Sequence, residues 1–125
     1  MKLPRPFKKA LIYEDSKVYV CLANFPIVRG HTIIVWKKSV SDLQKLSKKE
    51  YEYLMDKVDE VRNALIKTLK VKKVYLVYMD EINQVHWHLF PRYNKKGFNI
   101  FNHKSSKLTD FSLTNEIKLN LKIKW

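Results

Sequence analysis

Between Ser47 and Leu69 the chain carries Tyr51, Leu54, Val58, Val61, Leu65 and Leu69 at intervals of three and four residues, which puts all six on one stripe of a helix. Ser47-Lys48-Lys49-Glu50 reads as a capping box at its start, because a serine hydroxyl and a glutamate three positions later can satisfy each other's orphan amides. Ser41-Asp42-Leu43-Gln44 marks a shorter turn of helix just before it. A helix with one apolar stripe must bury it against something, so its flanks decide the fold. On both sides the pattern turns β-like. Ala10 to Glu14 and Lys17 to Ala23 read as strands around the polar turn Glu14-Asp15-Ser16. A loop marked by Asn24, Pro26 and Gly30 then leads to a β-branched and aromatic run, His31 to Lys37. Val74 to Met79 and Val85 to Phe90 form a later pair, joined by the turn Asp80 to Asn83.

Three strands, a long helix and a closing hairpin predict an α+β fold. In it an antiparallel β-sheet has the one long helix and the short helix packed on one face, and the other face is left free. The 125 residues, 46% of them hydrophobic, suffice for one domain: residues 1–93 as its core and 94–125 as a C-terminal extension. From Glu116 to Trp125, Ile117, Leu119, Leu121, Ile123 and Trp125 alternate with polar residues, which predicts a terminal strand. There is no apolar run near the roughly 18 residues a membrane span requires, and the start MKLPRPFKKALIYE has no signal-peptide pattern, so a soluble, cytoplasmic protein is expected. The lone Cys21, inside VYVCLA, is expected as a small buried hydrophobe.

A net charge of +13 favours anionic partners. Arg5, Arg29, Arg62 and Arg92 are the only arginines among 25 basic residues, and the lysines are spread along the whole chain. Base reading leans on the bidentate arginine fork, so the charge implies a general polyanion preference without specific nucleic-acid recognition.

The stretch Gln84-Val85-His86-Trp87-His88-Leu89-Phe90-Pro91-Arg92 carries the chemistry. On a strand Gln84, His86, His88 and Phe90 share one face, while Val85, Trp87 and Leu89 share the other. The two imidazoles would stand about 7 Å apart, near enough to share one ligand. Pro91 is expected to close the strand, and Arg92 to bring a fixed cation nearby. Zinc would need further ligands, and Cys21, His31 and His103 stand at no recognisable metal spacing, so no metal is assigned. No Gly-x-Ser-x-Gly elbow and no phosphate-cradling glycine loop is present. A neutral imidazole can attack phosphorus directly where neighbouring donors hold the phosphoryl oxygens, and Gln84 and His88 flank His86 in the right places.

This stretch resembles the signature of the histidine triad (HIT) family, in which three histidines alternate with hydrophobic residues and Pro-Arg often follows. Upstream, Cys21 to Val35, a loop ending in Gly30-His31 before a hydrophobic strand, resembles the family's first block. The resemblance covers residues 10 to 93. It implies that His86 is the nucleophile taking the nucleotidyl group, that His88 orients it and bonds to the phosphate, and that His31 supports the cluster. Leu22 and Asn24 would lie against base and ribose. It further implies hydrolysis or transfer at the α-phosphate of a nucleotide conjugate, a dinucleoside polyphosphate or nucleoside phosphoramidate, with adenine as the leading base. No cofactor is implied, and a homodimer is. Gln84 stands where the family has its first histidine, and the preceding turn Met79 to Asn83 is acidic. Both departures keep open a catalytically weak or inactive nucleotide- or nucleic-acid-binding module.

Overall fold

The first hairpin closes on Asp15. One carboxylate oxygen takes the backbone N–H groups of Lys17 (2.7 Å) and Val18 (2.8 Å), and the other takes the hydroxyls of Tyr13 and Tyr53. A short acidic side chain that bonds its own backbone two and three residues on is a turn-former by mechanism. In this computed structural model, which describes residues 3–93 and 104–122, the turn joins β1 (Leu11–Glu14) to β2 (Val18–Leu22). β3 (Thr32–Trp36) follows the Asn24–Gly30 loop. β4 (Lys73–Val77) and β5 (His86–Arg92) follow the long helix. All neighbours pair antiparallel in the order β1-β2-β3-β5-β4, so the histidine strand is inserted between β3 and the edge strand β4.

Helix α1 (Lys48–Leu69) starts at the capping box: Ser47 Oγ accepts from Glu50 N, and Glu50 returns the bond to Ser47 N. Its 22 residues run about 33 Å and end at Lys70, which takes the left-handed conformation (φ 55°) that stops the helix. The short turn before it is a 3-10 turn, Leu43–Lys45, capped by Asp42. Leu54, Val58, Val61, Ala64 and Leu65 are buried against Val18, Val20, Leu22 and Ile34 of the sheet. Each such side chain fully removed from water contributes about 1.5–3 kcal/mol, so this one layer fixes which face of every strand looks inward. Val85, Trp87 and Leu89 belong to it, which leaves Gln84, His86, His88 and Phe90 on the opposite face.

Three expectations need correction. Tyr51 is 42% exposed; the buried stripe begins at Leu54, and Tyr51 in the first turn lies beside the 42–46 segment and Tyr78. Pro91 does not close β5, which continues to Arg92. Pairing with β3 ends at Thr32–Leu89, so at Pro91 only the β4 side still needs a bonded neighbour and the missing N–H is tolerated. Nor is there a terminal strand. Leu113–Lys122 form helix α2, with Leu113 and Ile117 buried against the core, Leu121 packed beside them and Leu119 65% exposed. The four-residue spacing 113, 117, 121 won over the two-residue alternation of the same stretch. Asn120 Nδ2 bonds Thr68 Oγ1 (2.7 Å), pinning α2 to α1. Ile123 and Trp125 lie outside the described residues.

Candidate active site

Three histidines meet on the sheet face away from α1. His88 on β5 is the cross-strand partner of Ile33, and His86 that of Val35. His31 stands just before β3, held there by Gly30, whose φ of +85° suits glycine and whose missing Cβ would lie 2.7 Å from Leu69 Cδ1. The His31 and His88 ring centroids are 5.3 Å apart and those of His86 and His88 5.0 Å, with Phe90 packed 4.2 Å from His31.

The hydrogen bonds set the tautomers. The backbone N–H of Ile27 can only donate, and it meets His31 Nδ1 at 3.2 Å. His31 therefore carries its hydrogen on Nε2, which lies 3.0 Å from His88 Nδ1. That nitrogen accepts, so neutral His88 has its own N–H on Nε2. His86 is fixed from another side: its Nδ1 lies 2.8 Å from the carbonyl of Gln84, which can only accept. The hydrogen sits on Nδ1, and in the neutral ring Nε2 keeps its lone pair. One ring thus offers electrons and its neighbour offers a hydrogen.

Burial, with a smaller contribution from His88, lowers the pKa of His31 to about 3. Burial, and then the neighbouring His86, lowers that of His88 to about 4. Both rings are accordingly neutral at pH 7, as the chain of bonds requires. Among the described residues no group of three or more His, Cys, Asp or Glu is gathered to hold a metal ion. Cys21 is buried, and burial raises its pKa to about 12, so it is no nucleophile. His103 lies outside the described residues.

The other expected site residues are less central. Gln84 shares the face of His86, but its side chain is turned to the backbone N–H of Leu3 (2.8 Å) and the carbonyl of Trp36 (3.4 Å). The expectation that Gln84 flanks His86 opposite His88 as a donor to phosphoryl oxygens is therefore corrected: its amide is engaged elsewhere, and it is the carbonyl of Gln84 that meets His86. Leu22 points into the core on the helix side, 2% exposed, and reaches a cavity of about 180 Å³ shared with His31 and Leu108. Asn24 links the two ends of the chain. Its Nδ2 donates to Arg5 O (3.0 Å), its carbonyl accepts from Leu108 N (2.7 Å), and its Oδ1 is buried with no partner among the described residues. Sequence reasoning missed Ile27, the carbonyl of Gln84, Leu3 and the 106–110 segment. The first three act through backbone groups, which leave no mark in a sequence.

A family model for the HIT domain matches residues 5–95. The chain belongs to the HIT family. At a general level this HIT protein therefore sits among nucleotide-related hydrolases and transferases. A HIT-like protein of 13.1 kDa from Mesomycoplasma hyorhinis is 30% identical over 91 residues, covering 68% of this chain and 82% of the relative. Two solved structures share the fold. One is a hypothetical histidine triad nucleotide-binding protein from Sulfolobus tokodaii, with TM-score 0.75, 19% identity, 90% of this chain and 83% of that one. The other is a HIT-like protein involved in cell-cycle regulation from Bartonella henselae, with TM-score 0.74, 18% identity, 91% of this chain and 88% of that one. The antiparallel sheet with its long and short helices is thus the HIT fold. Among the described residues no helix is long and apolar enough to cross a membrane.

Proposed function

We propose that this HIT protein hydrolyses or transfers at the α-phosphorus of a nucleotide conjugate, a dinucleoside polyphosphate or a nucleoside phosphoramidate, with His86 as nucleophile. The observation that carries the reading is the pair of opposed tautomers: a lone pair on His86 Nε2 beside an N–H on His88 Nε2. His86 Nε2 attacks phosphorus, the leaving group departs with its electron pair, and a phosphoramidate forms. The positive charge gained by the ring is stabilised by the Gln84 carbonyl on Nδ1, and His88 Nε2–H bonds a phosphoryl oxygen. Water then releases the nucleotide. Asn24 stays in the proposal as the residue that contacts the ribose, with its buried, unpartnered Oδ1 as the acceptor once the Arg5 and Leu108 segments around it give way. Adenine as the base is part of the proposal, and so is a cytoplasmic homodimer. The edge strand β4 and the exposed Leu76 (40%) and Met79 (51%) on and after it suit pairing of two copies.

A second reading rests on the 5% exposure of His86 and on the glutamine in the first histidine position: a nucleotide-binding module with little turnover. One experiment separates the two. Wild-type protein is incubated with a diadenosine polyphosphate panel and an adenosine phosphoramidate, and released mononucleotide is measured beside His86→Ala. The enzyme reading expects turnover on at least one substrate, reduced on the order of 10⁴-fold or more by the substitution. Saturable binding with no release across the panel would replace it with the second reading.

A further inference from the structure

Gln84 makes three hydrogen bonds in three directions. Its carbonyl takes the Nδ1 hydrogen of His86 (2.8 Å), Oε1 takes the backbone N–H of Leu3 (2.8 Å), and Nε2 donates to the carbonyl of Trp36 (3.4 Å). The side-chain orientation is dictated by its partners, since an N–H must face an oxygen and a carbonyl must face the NH₂ group. The residue is 5% exposed, so few waters can replace these partners if they are lost.

We propose that Gln84 is a positioning residue through which the N-terminal segment sets the tautomer of His86. The imidazole hydrogen stays on Nδ1 only while a carbonyl stands in line with it. That carbonyl belongs to the residue just before β5, which begins at His86. The carbonyls on either side are held, Val85 O by the backbone N–H of Trp36 (2.9 Å) and Asn83 O by the Ser39 hydroxyl (2.8 Å). The side chain of Gln84, clamped between Trp36 on one side and residue 3 on the other, adds the anchor that fixes the rotation of the peptide between them. Glutamine fits this duty because its acceptor and donor lie side by side at the end of a flexible stem. On an imidazole the two nitrogens sit on a rigid ring and point apart. The N-terminal segment thus becomes part of the nucleophile's support, although it touches no reacting atom. For turnover this inference rests on His86 being the nucleophile; for the tautomer it does not.

The test reads the tautomer directly, from the ¹⁵N shifts of the two His86 ring nitrogens, alongside kcat and KM. Leu3→Pro removes the N–H that Oε1 accepts, while Leu3→Ala shortens the same side chain and keeps it. Gln84→Met removes both side-chain bonds at similar length. Wild type and Leu3→Ala are expected to show hydrogen on Nδ1. Leu3→Pro and Gln84→Met are expected to show a mixture of both tautomers, with kcat down about five- to tenfold and KM within about twofold. Wild-type shifts in both Leu3→Pro and Gln84→Met would overturn the proposal, even if both variants melt earlier. Shifts that move in a protein with no turnover in any form would leave the positioning role standing and sink the proposed chemistry instead. Turnover that depends on His86 while its tautomer ignores both variants would do the reverse.

Discussion

Replacing Gly30 by alanine should damage stability and site together, and the size of the damage can be worked from geometry. At φ +85° an L-residue pays about 1–2 kcal/mol for bringing its Cβ against the following carbonyl. The new Cβ would also lie 2.7 Å from Leu69 Cδ1 and 3.2 Å from Pro91 Cγ. Leu69 is half-buried and can turn its methyl aside, whereas the Pro91 ring cannot, so the loop itself must move. Overpacking of that kind costs about 1–3 kcal/mol. The sum, about 2–5 kcal/mol, should appear as a lower urea midpoint at unchanged slope. Adding Leu69→Ala should return about 1 kcal/mol of the contact part, read as a double-mutant coupling, and none of the backbone part. His31 is the next residue, and its ring must span from Ile27 N–H to His88, so kcat should fall as well. A Gly30→Ala protein within about 0.5 kcal/mol of wild type would refute the argument from left-handed geometry and contact.

Two more outcomes follow from titrating groups. His31 has a folded pKa near 3 against an ordinary 6.5, so the unfolded chain takes up its proton first as pH falls. Its stabilising contribution is complete above about 6.5 and is lost as pH drops toward 3, amounting to about 2 kcal/mol between pH 7 and 5; urea midpoints at those two pH values should show a steeper loss in wild type than in His31→Asn, where the lowered pKa of His88 still contributes a slope of its own. Burial works against the charge on Asp15, but hydrogen bonds from Tyr53, Val18, Lys17 and Tyr13 outweigh it and hold the carboxyl below the usual range. Its contribution is present above the unfolded carboxylate pKa and fades as pH falls below that, so Asp15→Asn, with solvent screening discounting a partly exposed carboxylate, should cost on the order of 1 kcal/mol at pH 7 and progressively less in acid, measured by thermal melts from pH 7 to 2.

The five strands and the long helix were legible because apolar spacing switches between two and three-to-four, and because Ser47 and Glu50 announce a helix start. The C-terminal helix was not. Ile117, Leu119 and Leu121 fit a two-residue period while Leu113, Ile117 and Leu121 fit a four-residue one, and only docking against α1 decides between them. Pro91 misled for a similar reason: whether a missing N–H matters depends on which neighbouring strand is still present at that row. At the site, side-chain chemistry was readable and its wiring was not. His86 and His88 could be named from their residue types and spacing, and His31 through the resemblance of its block to the HIT family. The Ile27 amide and the Gln84 carbonyl, which assign the hydrogens, are groups every residue possesses. The bond from Gln84 to Leu3 joins positions 81 residues apart, and only the folded chain brings them together.

The odd-numbered residues of β5 fill the core and the even-numbered ones carry the imidazoles, so reactivity and folding share one register. A strand that slipped by a single residue would swing the rings into grease and the tryptophan into solvent. If His86 attacks phosphorus as proposed, a slipped copy should fall silent instead of becoming indiscriminate.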